Sequence, residues 1–393
     1  MWASNRTAAA ALDSADPLAQ LPDRYQLPPG VIRLDGNGAG PWTGTSSNRL
    51  RRFVEHRWHA GPRRRPAGER CDEVRATAGA LAPLTGARPH ELTISESSPV
   101  NLFTTLLAGA KLRPERPVLV VGHDSFATDG CLARSAAEFG GLALRVVQRG
   151  QPLDEVLDER VAVVALSHTD LATGALRDPS GLGEAAHRQG ALALLDLTHS
   201  TGALAVDLRG WGTDLAIGGG DKYLGGGPGA PAYSFVAERH QEALAAVGAQ
   251  HCRRRPEVAN PLSSGLGVTP SMLGVADLRV GLSVLEGVPT AELERKAAGL
   301  VDLFLERTGA GVEVLSPPSG PRGSEVLLQH PSAHRVADGL FQRGVLVTVV
   351  EPDVLRFSFA PSWLRYVDVW EAAELLREVL DDLDRSGLSA PPG

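Results

Sequence analysis

The chain has 393 residues, 43% of them hydrophobic and 22% charged, with a formal net charge of −7. This length can bury a sizeable core in about two to three domains, and the acidic balance offers no broad attraction to nucleic acid or anionic lipid. Cys71, Cys131 and Cys252 form no CxxC pair, which argues against a disulfide framework or a zinc site and for a reducing cytoplasm.

The opening MWASNRTAAAALDSADPLAQ has neither the basic leader nor the continuous apolar core of a signal peptide, and nothing later reaches the roughly 18 apolar residues of a membrane span. The expected protein is cytoplasmic, with no membrane, nucleic-acid or metal partner. Residues 1–45, rich in Ala, Pro and Gly, read as an irregular arm that ends in the turn-prone LDGNGAGP.

A first helical region follows, and from about residue 70 to 245 apolar β-branched runs alternate with helical periodicity, the pattern of an α/β domain with a mainly parallel sheet. The candidate strands are Pro117 to Val121, Val161 to Leu166, Ala191 to Leu195, Asp214 to Ile217 and Ala230 to Val236. Between them Asp129 to Phe139 and Leu182 to Gln189 read as helices. Pro270 to Leu285 and Thr290 to Arg307 carry apolar residues at three- and four-residue spacing. Ser324 to Leu328, Val345 to Val350 and Val354 to Ser358 read as strands, Tyr366 to Leu383 as an amphipathic helix, and residues 390–393 as a disordered tail. These elements divide the chain into an arm (1–45), a large domain (46–270) and a linking helix with a smaller α+β domain (271–393).

Basic residues are overwhelmingly arginine; the lysines are Lys111, Lys222 and Lys296. A retained lysine can do amine chemistry that a guanidinium cannot. The strongest local pattern is LLDLTHSTGALAVDL, with Lys222 in GGGDKYLGGGPGAP following 26 residues after Asp196. Asp196 and His199 sit where one strand ends, and Lys222 lies just beyond the next, on the edge where open α/β sheets build ligand sites. A carboxylate there can hold a protonated heteroaromatic nitrogen. The glycines on both sides of Lys222 let the backbone approach a bulky ligand closely. The alternative is a glycine loop in which Asp196 caps a turn and His199 is an ordinary satisfied side chain.

Ser97 and Ser98 open the helical segment Pro99 to Leu112, where hydroxyls and free N–H groups form an anion site or a plain N-cap. Phe126 follows a strand end and can stack on an aromatic ring or fill the core. Arg356, in a strand of the smaller domain, can clamp a carboxylate or pair across an interface.

Together these segments resemble kynureninase, of the class V branch of the fold type I pyridoxal-phosphate enzymes, from about residue 34 to 383. LDGNGAGP, SESSPVNLF, HDSFATD, LSHTDLATGAL and LLDLTHSTGALAVDLRGWGTDLAIGGGDKYLGGGPG follow the family's order of cofactor-site segments. The resemblance implies an α/β aspartate-aminotransferase-like fold, with a mainly parallel seven-stranded sheet in the large domain and a smaller α+β C-terminal domain. It also implies pyridoxal 5'-phosphate held by Lys222 as a Schiff base, with Asp196 on the ring nitrogen, Phe126 stacked on the ring, and Ser97 and Ser98 at the phosphate. Asp129 and His199 would lie at the cofactor. Arg356, in VLRFSFAP, would hold the substrate α-carboxylate, and Asn37 would contact the substrate. The family is typically homodimeric, with shared active sites.

Four departures bear on the substrate. Asp221 stands where the family has a tyrosine before the lysine. PLSSGLG replaces an aromatic loop, the threonine of the next segment is displaced to Thr269 or absent, and Asp170 and Leu171 stand for Asn and Tyr. The expectation is a hydrolase or lyase acting at Cβ of a non-standard amino-acid substrate in a specialised pathway. The alternatives are an aminotransferase, a Cβ–S lyase or desulfurase with Cys252 as its remote nucleophile candidate, and a pseudoenzyme that keeps only the fold.

Overall fold

The computed structural model describes residues 5–36, 38–58, 68–95, 97–123, 127–249, 270–309 and 311–385. A central seven-stranded sheet has the order β2-β8-β7-β6-β5-β3-β4. Its strands are β2 (Leu92–Ser95), β3 (Val118–Gly122), β4 (Ala143–Val147), β5 (Val161–Ser167), β6 (Leu192–Asp196), β7 (Leu215–Gly218) and β8 (Ala232–Val236). From β7 through β4 the neighbours pair in parallel, while β8 runs antiparallel to both β7 and β2.

The central strands are apolar on both faces, which explains their continuous apolar runs. Val118 and Val120 of β3 join one buried cluster and Leu119 and Val121 the other; Ala193 and Leu195 of β6 oppose Leu192 and Leu194 in the same way. Helices Ser98–Lys111 and Ala127–Gly140 cover one face through Leu102, Leu106, Ala133 and Ala136. Helices Gly68–Thr85 and Pro179–Arg188 cover the other through Leu81, Ala82, Leu182 and Ala186. Gly109 sets the closeness of the first layer, because a Cβ there would lie 2.7 Å from Val163 Cγ2 and 2.9 Å from Leu215 Cδ1.

Since β2 runs in the direction of β7, Ser95, Gly122, Ser167, Asp196 and Gly218 all end strands on one edge of the sheet. This edge positions the candidate site.

The smaller sheet is antiparallel in the order β12-β13-β10-β9, built from β9 (Glu313–Val314), β10 (Glu325–Gln329), β12 (Thr348–Val350) and β13 (Val354–Ser358). Separately, β1 (Ile32–Arg33) pairs in parallel with β11 (Val345–Leu346). The single strand expected over Val345 to Val350 is therefore two short strands that serve different sheets. Phe304, from helix Thr290–Arg307, packs on Phe357 and Phe359 with ring centroids 4.7 and 5.1 Å apart. The linking helix spans Met272–Val284 and starts after Pro270 because Ser271 caps it, its side chain accepting from Gly274 N–H.

The arm departs from the irregular segment expected. Arg6–Ala15 is an α-helix, capped by Asn5, whose side chain accepts from Ala8 N–H at 2.9 Å. Alanine is the best helix former, and tertiary packing completes the helix. Asp13 takes the N–H groups of Tyr366 and Val367 at 2.6 and 3.0 Å and so caps helix Tyr366–Arg385. The tail at 390–393 lies outside the described residues. No helix among the described residues is long and apolar enough to cross a membrane, and no group of three or more potential metal ligands occurs among them.

Candidate active site

Asp196 ends β6 and is paired with Ile217 of the adjacent β7, so the loop carrying Lys222 leaves the same edge. Asp196 Oδ1 accepts the N–H of Thr198 at 2.8 Å; its other oxygen meets no donor among the described residues. The turn-capping alternative thus describes only half of the carboxylate. Lys222 follows β7 through Gly219 and Gly220. A Cβ on Gly219 would lie 2.7 Å from Asp221 Oδ1, 3.2 Å from Ser98 Oγ and 3.3 Å from Thr198 Cγ2. The first residues after β2, β6 and β7 therefore converge on one cradle floored by a bare backbone.

Ser97 is the N-cap of helix Ser98–Lys111, in an extended conformation, and its side chain makes no capping hydrogen bond among the described residues. The Ser97 side chain thus does not act as a plain cap.

The backbone around Lys222 is held from two sides. Gly40 N–H donates to the Asp221 carbonyl at 2.8 Å, and a Cβ on Gly36 would lie 3.0 Å from Tyr223 Cε1. Helix Met272–Val284 approaches from the other side, where Gly281 has no room for a Cβ against the Leu224 carbonyl. LDGNGAGP is thus a strap across the lysine loop. Its Asn37 lies outside the described residues, as do Phe126, Cys252, Thr269 and the PLSSGLG segment. Asp129 belongs to helix Ala127–Gly140, and its side chain is not described.

Arg356 is buried in β13, and its Nη2 donates to the Leu171 carbonyl at 2.9 Å. Its Nε lies 3.8 Å from Glu325 Oε2. Glu325, in β10, carries no motif and is absent from the sequence-derived candidates, yet it gathers the site. Its Oε1 is 2.8 Å from His199 Nδ1, 3.3 Å from the Tyr223 hydroxyl and 3.4 Å from Ser358 Oγ. Burial alone would raise the Glu325 pKa, but the His199 ring, Arg356 and Lys222 prevail and hold it at about 2. Burial, then Glu325, pushes the Tyr223 hydroxyl well above its ordinary range.

At the substituted positions, Asp170 makes a turn. Its Oδ1 accepts from the N–H groups of Ala172 and Thr173 at 3.0 Å, and its Oδ2 pairs with Arg177 at 2.8 Å. Leu171 contributes its carbonyl to Arg356. A cavity of about 390 Å³, lined in part by Gly122, His123, Arg149, Asp170 and Arg177, opens on the β3–β5 side of the same edge and does not include Lys222.

The edge fits pyridoxal 5'-phosphate. It presents an amine, a carboxylate oxygen without a donor for a ring nitrogen, the buried Thr198 hydroxyl without a partner among the described residues, and a glycine floor that a side chain would fill.

Comparison with known proteins agrees. The aminotransferase class-V model matches residues 100–246 and the kynureninase C-terminal domain model residues 293–376. Kynureninase of Pseudomonas fluorescens is 35% identical over 395 residues, covering 94% of each chain. That of Burkholderia pseudomallei (strain K96243) is 34% identical, covering 96% of this chain and 95% of its own. Among solved structures, a cysteine desulfurase from Thermococcus onnurineus NA1 superposes with a TM-score of 0.77 at 18% identity, covering 93% of this chain and 98% of its own. A C-DES mutant with glycine covalently linked to the PLP cofactor gives 0.72 at 15%, covering 89% and 96%. At such identities the two structures show the fold, α/β with a mixed seven-stranded sheet, and not the sulfur chemistry. By its near full-length likeness to both bacterial enzymes, the chain belongs to the kynureninase family.

Proposed function

We propose that the protein is a pyridoxal-phosphate-dependent hydrolase that cleaves the Cβ–Cγ bond of a 2-amino-4-oxo acid, adding water to yield a carboxylic acid and alanine. The observation that carries this reading is the meeting of Lys222 and Asp196 on one sheet edge with the Arg356–Glu325–His199 cluster of the two sheets. When bound, the cofactor supplies an electron sink conjugated to the substrate α-carbon.

The residues divide the work. Lys222 Nζ would hold the cofactor and would take the α-proton. Asp196 would keep the ring nitrogen protonated through its unengaged oxygen. Ser97, Ser98 and the first amides of their helix would bind the phosphate, Phe126, Asp129 and His199 would line the ring, and Arg356 would take the α-carboxylate, with Asn37 on the substrate side. The arm (1–45) works with the smaller domain (271–393), and the large domain (46–270) carries the cofactor. Exposed Trp42 and Val100, two residues beyond Gly40 and Ser98, offer apolar surface for a second copy in a cytoplasmic homodimer.

Leucine at 171 and the substituted segment at 261–267 favour a substrate other than ordinary kynurenine. Incubation of the holoprotein with kynurenine, 3-hydroxykynurenine and a panel of β-substituted amino acids tests the reading. Alanine released with the matching carboxylic acid is expected. Sulfide or persulfide with alanine, pyruvate with ammonia, or a keto acid with pyridoxamine phosphate would replace it by a desulfurase, an eliminating lyase or an aminotransferase. A wild-type protein as colourless after cofactor addition as its Lys222→Ala variant would overturn it.

A further inference from the structure

Glu325 is fully buried, and its two oxygens are used unequally. Oε1 faces His199, Tyr223 and Ser358, whereas among the described residues Oε2 accepts no hydrogen bond and Arg356 Nε, 3.8 Å from it, donates none. An isolated buried carboxylate is costly, so a charge retained here balances another. Arg356 is that charge. Its guanidinium is anchored at Nη2 on the Leu171 carbonyl, and among the described residues its Nε edge faces Glu325 through charge attraction without a hydrogen bond.

We propose that Glu325 is a positioning residue that acts as the internal counter-charge of Arg356, so that an incoming amino-acid carboxylate must share the guanidinium with it. The inference rests on the reading that Arg356 binds the substrate α-carboxylate. Sharing weakens ground-state binding of the carboxylate, because Arg356 is already part-neutralised. The same carboxylate orients the His199 ring by accepting from Nδ1. Glu325 therefore holds substrate affinity down while keeping the catalytic groups in place, a division that appears in KM and kcat with opposite consequences.

Glu325→Gln keeps the shape and an acceptor for His199 and removes the charge. L-alanine binding to the holoprotein, measured by calorimetry, is expected to tighten about fivefold or more, with KM falling in step and kcat falling as well. A merely structural role would lower the melting temperature and the cofactor content without tightening alanine binding. Should Glu325→Gln fail to fold, Glu325→Asp, which draws the charge back by one methylene, is expected to give the same signs more weakly. Arg356→Met separates the two ideas. If it leaves alanine binding unchanged, the reading of Arg356 fails; if it weakens binding while the Glu325 variants bind alanine no more tightly than wild type, the counter-charge proposal alone is overturned.

Discussion

Asp221 sets its carboxylate beside Ser98 across Gly219: Oδ1 of one and Oγ of the other lie 2.7 and 3.2 Å from the same point, the place a Cβ on the glycine would take. No cation pairs with Asp221 among the described residues. An acidic group thus shares the end of the cradle where a phosphate would sit, and like charges there repel.

Replacing Asp221 by Asn is therefore expected to tighten binding of pyridoxal 5'-phosphate to the apoprotein by about tenfold, or ~1.4 kcal/mol. Equilibrium dialysis of apoprotein against the cofactor measures this directly. An unchanged or weaker affinity in Asp221→Asn would show that the carboxylate does not oppose the phosphate.

His168 predicts the acid side of the stability profile. It is buried, with Nδ1 2.9 Å from Ser200 Oγ, and burial, reinforced by Arg177, pulls its pKa down to about 4. An unfolded histidine titrates near ~6.5. Between these values the unfolded chain binds a proton that the folded chain does not, so stability falls as pH is lowered through this window and is fully present only above it. The total is on the order of 3 kcal/mol. His168→Gln removes the group, so the loss in urea midpoint between pH 7 and pH 5 should be larger in wild type than in the variant. Equal losses would assign the acid sensitivity elsewhere.

What could be read in the sequence follows from where chemistry and burial are local. The strands β3, β5, β6 and β7 are buried on both faces and write themselves as apolar runs, and Asp196 and Lys222 each follow such a run, so their common edge could be inferred from topology. The edge strands β2 and β4 lack this signature; in β4, Ala143–Val147, Val147 is the buried residue. The helix Arg6–Ala15 is hidden by its position in a Pro- and Gly-rich arm, although Asn5 before an alanine run is a legible start signal. Glu325 had no local signature at all. A lone carboxylate in a strand is read as a solvent-facing residue, and its partners Tyr223 and His199 lie 102 and 126 residues away. Its role exists only once the smaller sheet is placed against the edge of the larger one.

The arm itself is pinned by a second buried charge pair. Lys296 Nζ lies 2.8 Å from Asp16 Oδ2, with both side chains buried; burial lowers the Lys296 pKa and Asp16 opposes that shift. The attraction of a buried pair repays little beyond its desolvation, whereas removing one partner strands the other. Lys296→Met is therefore expected to destabilise the protein by about 3–5 kcal/mol, with protection lost first in helix Arg6–Ala15 under hydrogen exchange. The double variant Lys296→Met with Asp16→Leu should recover most of that loss, because it buries apolar groups in place of ions. If neither the single nor the double variant loses protection in helix Arg6–Ala15, the arm is held instead by Asp13 at the start of helix Tyr366–Arg385, and Asp13→Ala would then release it.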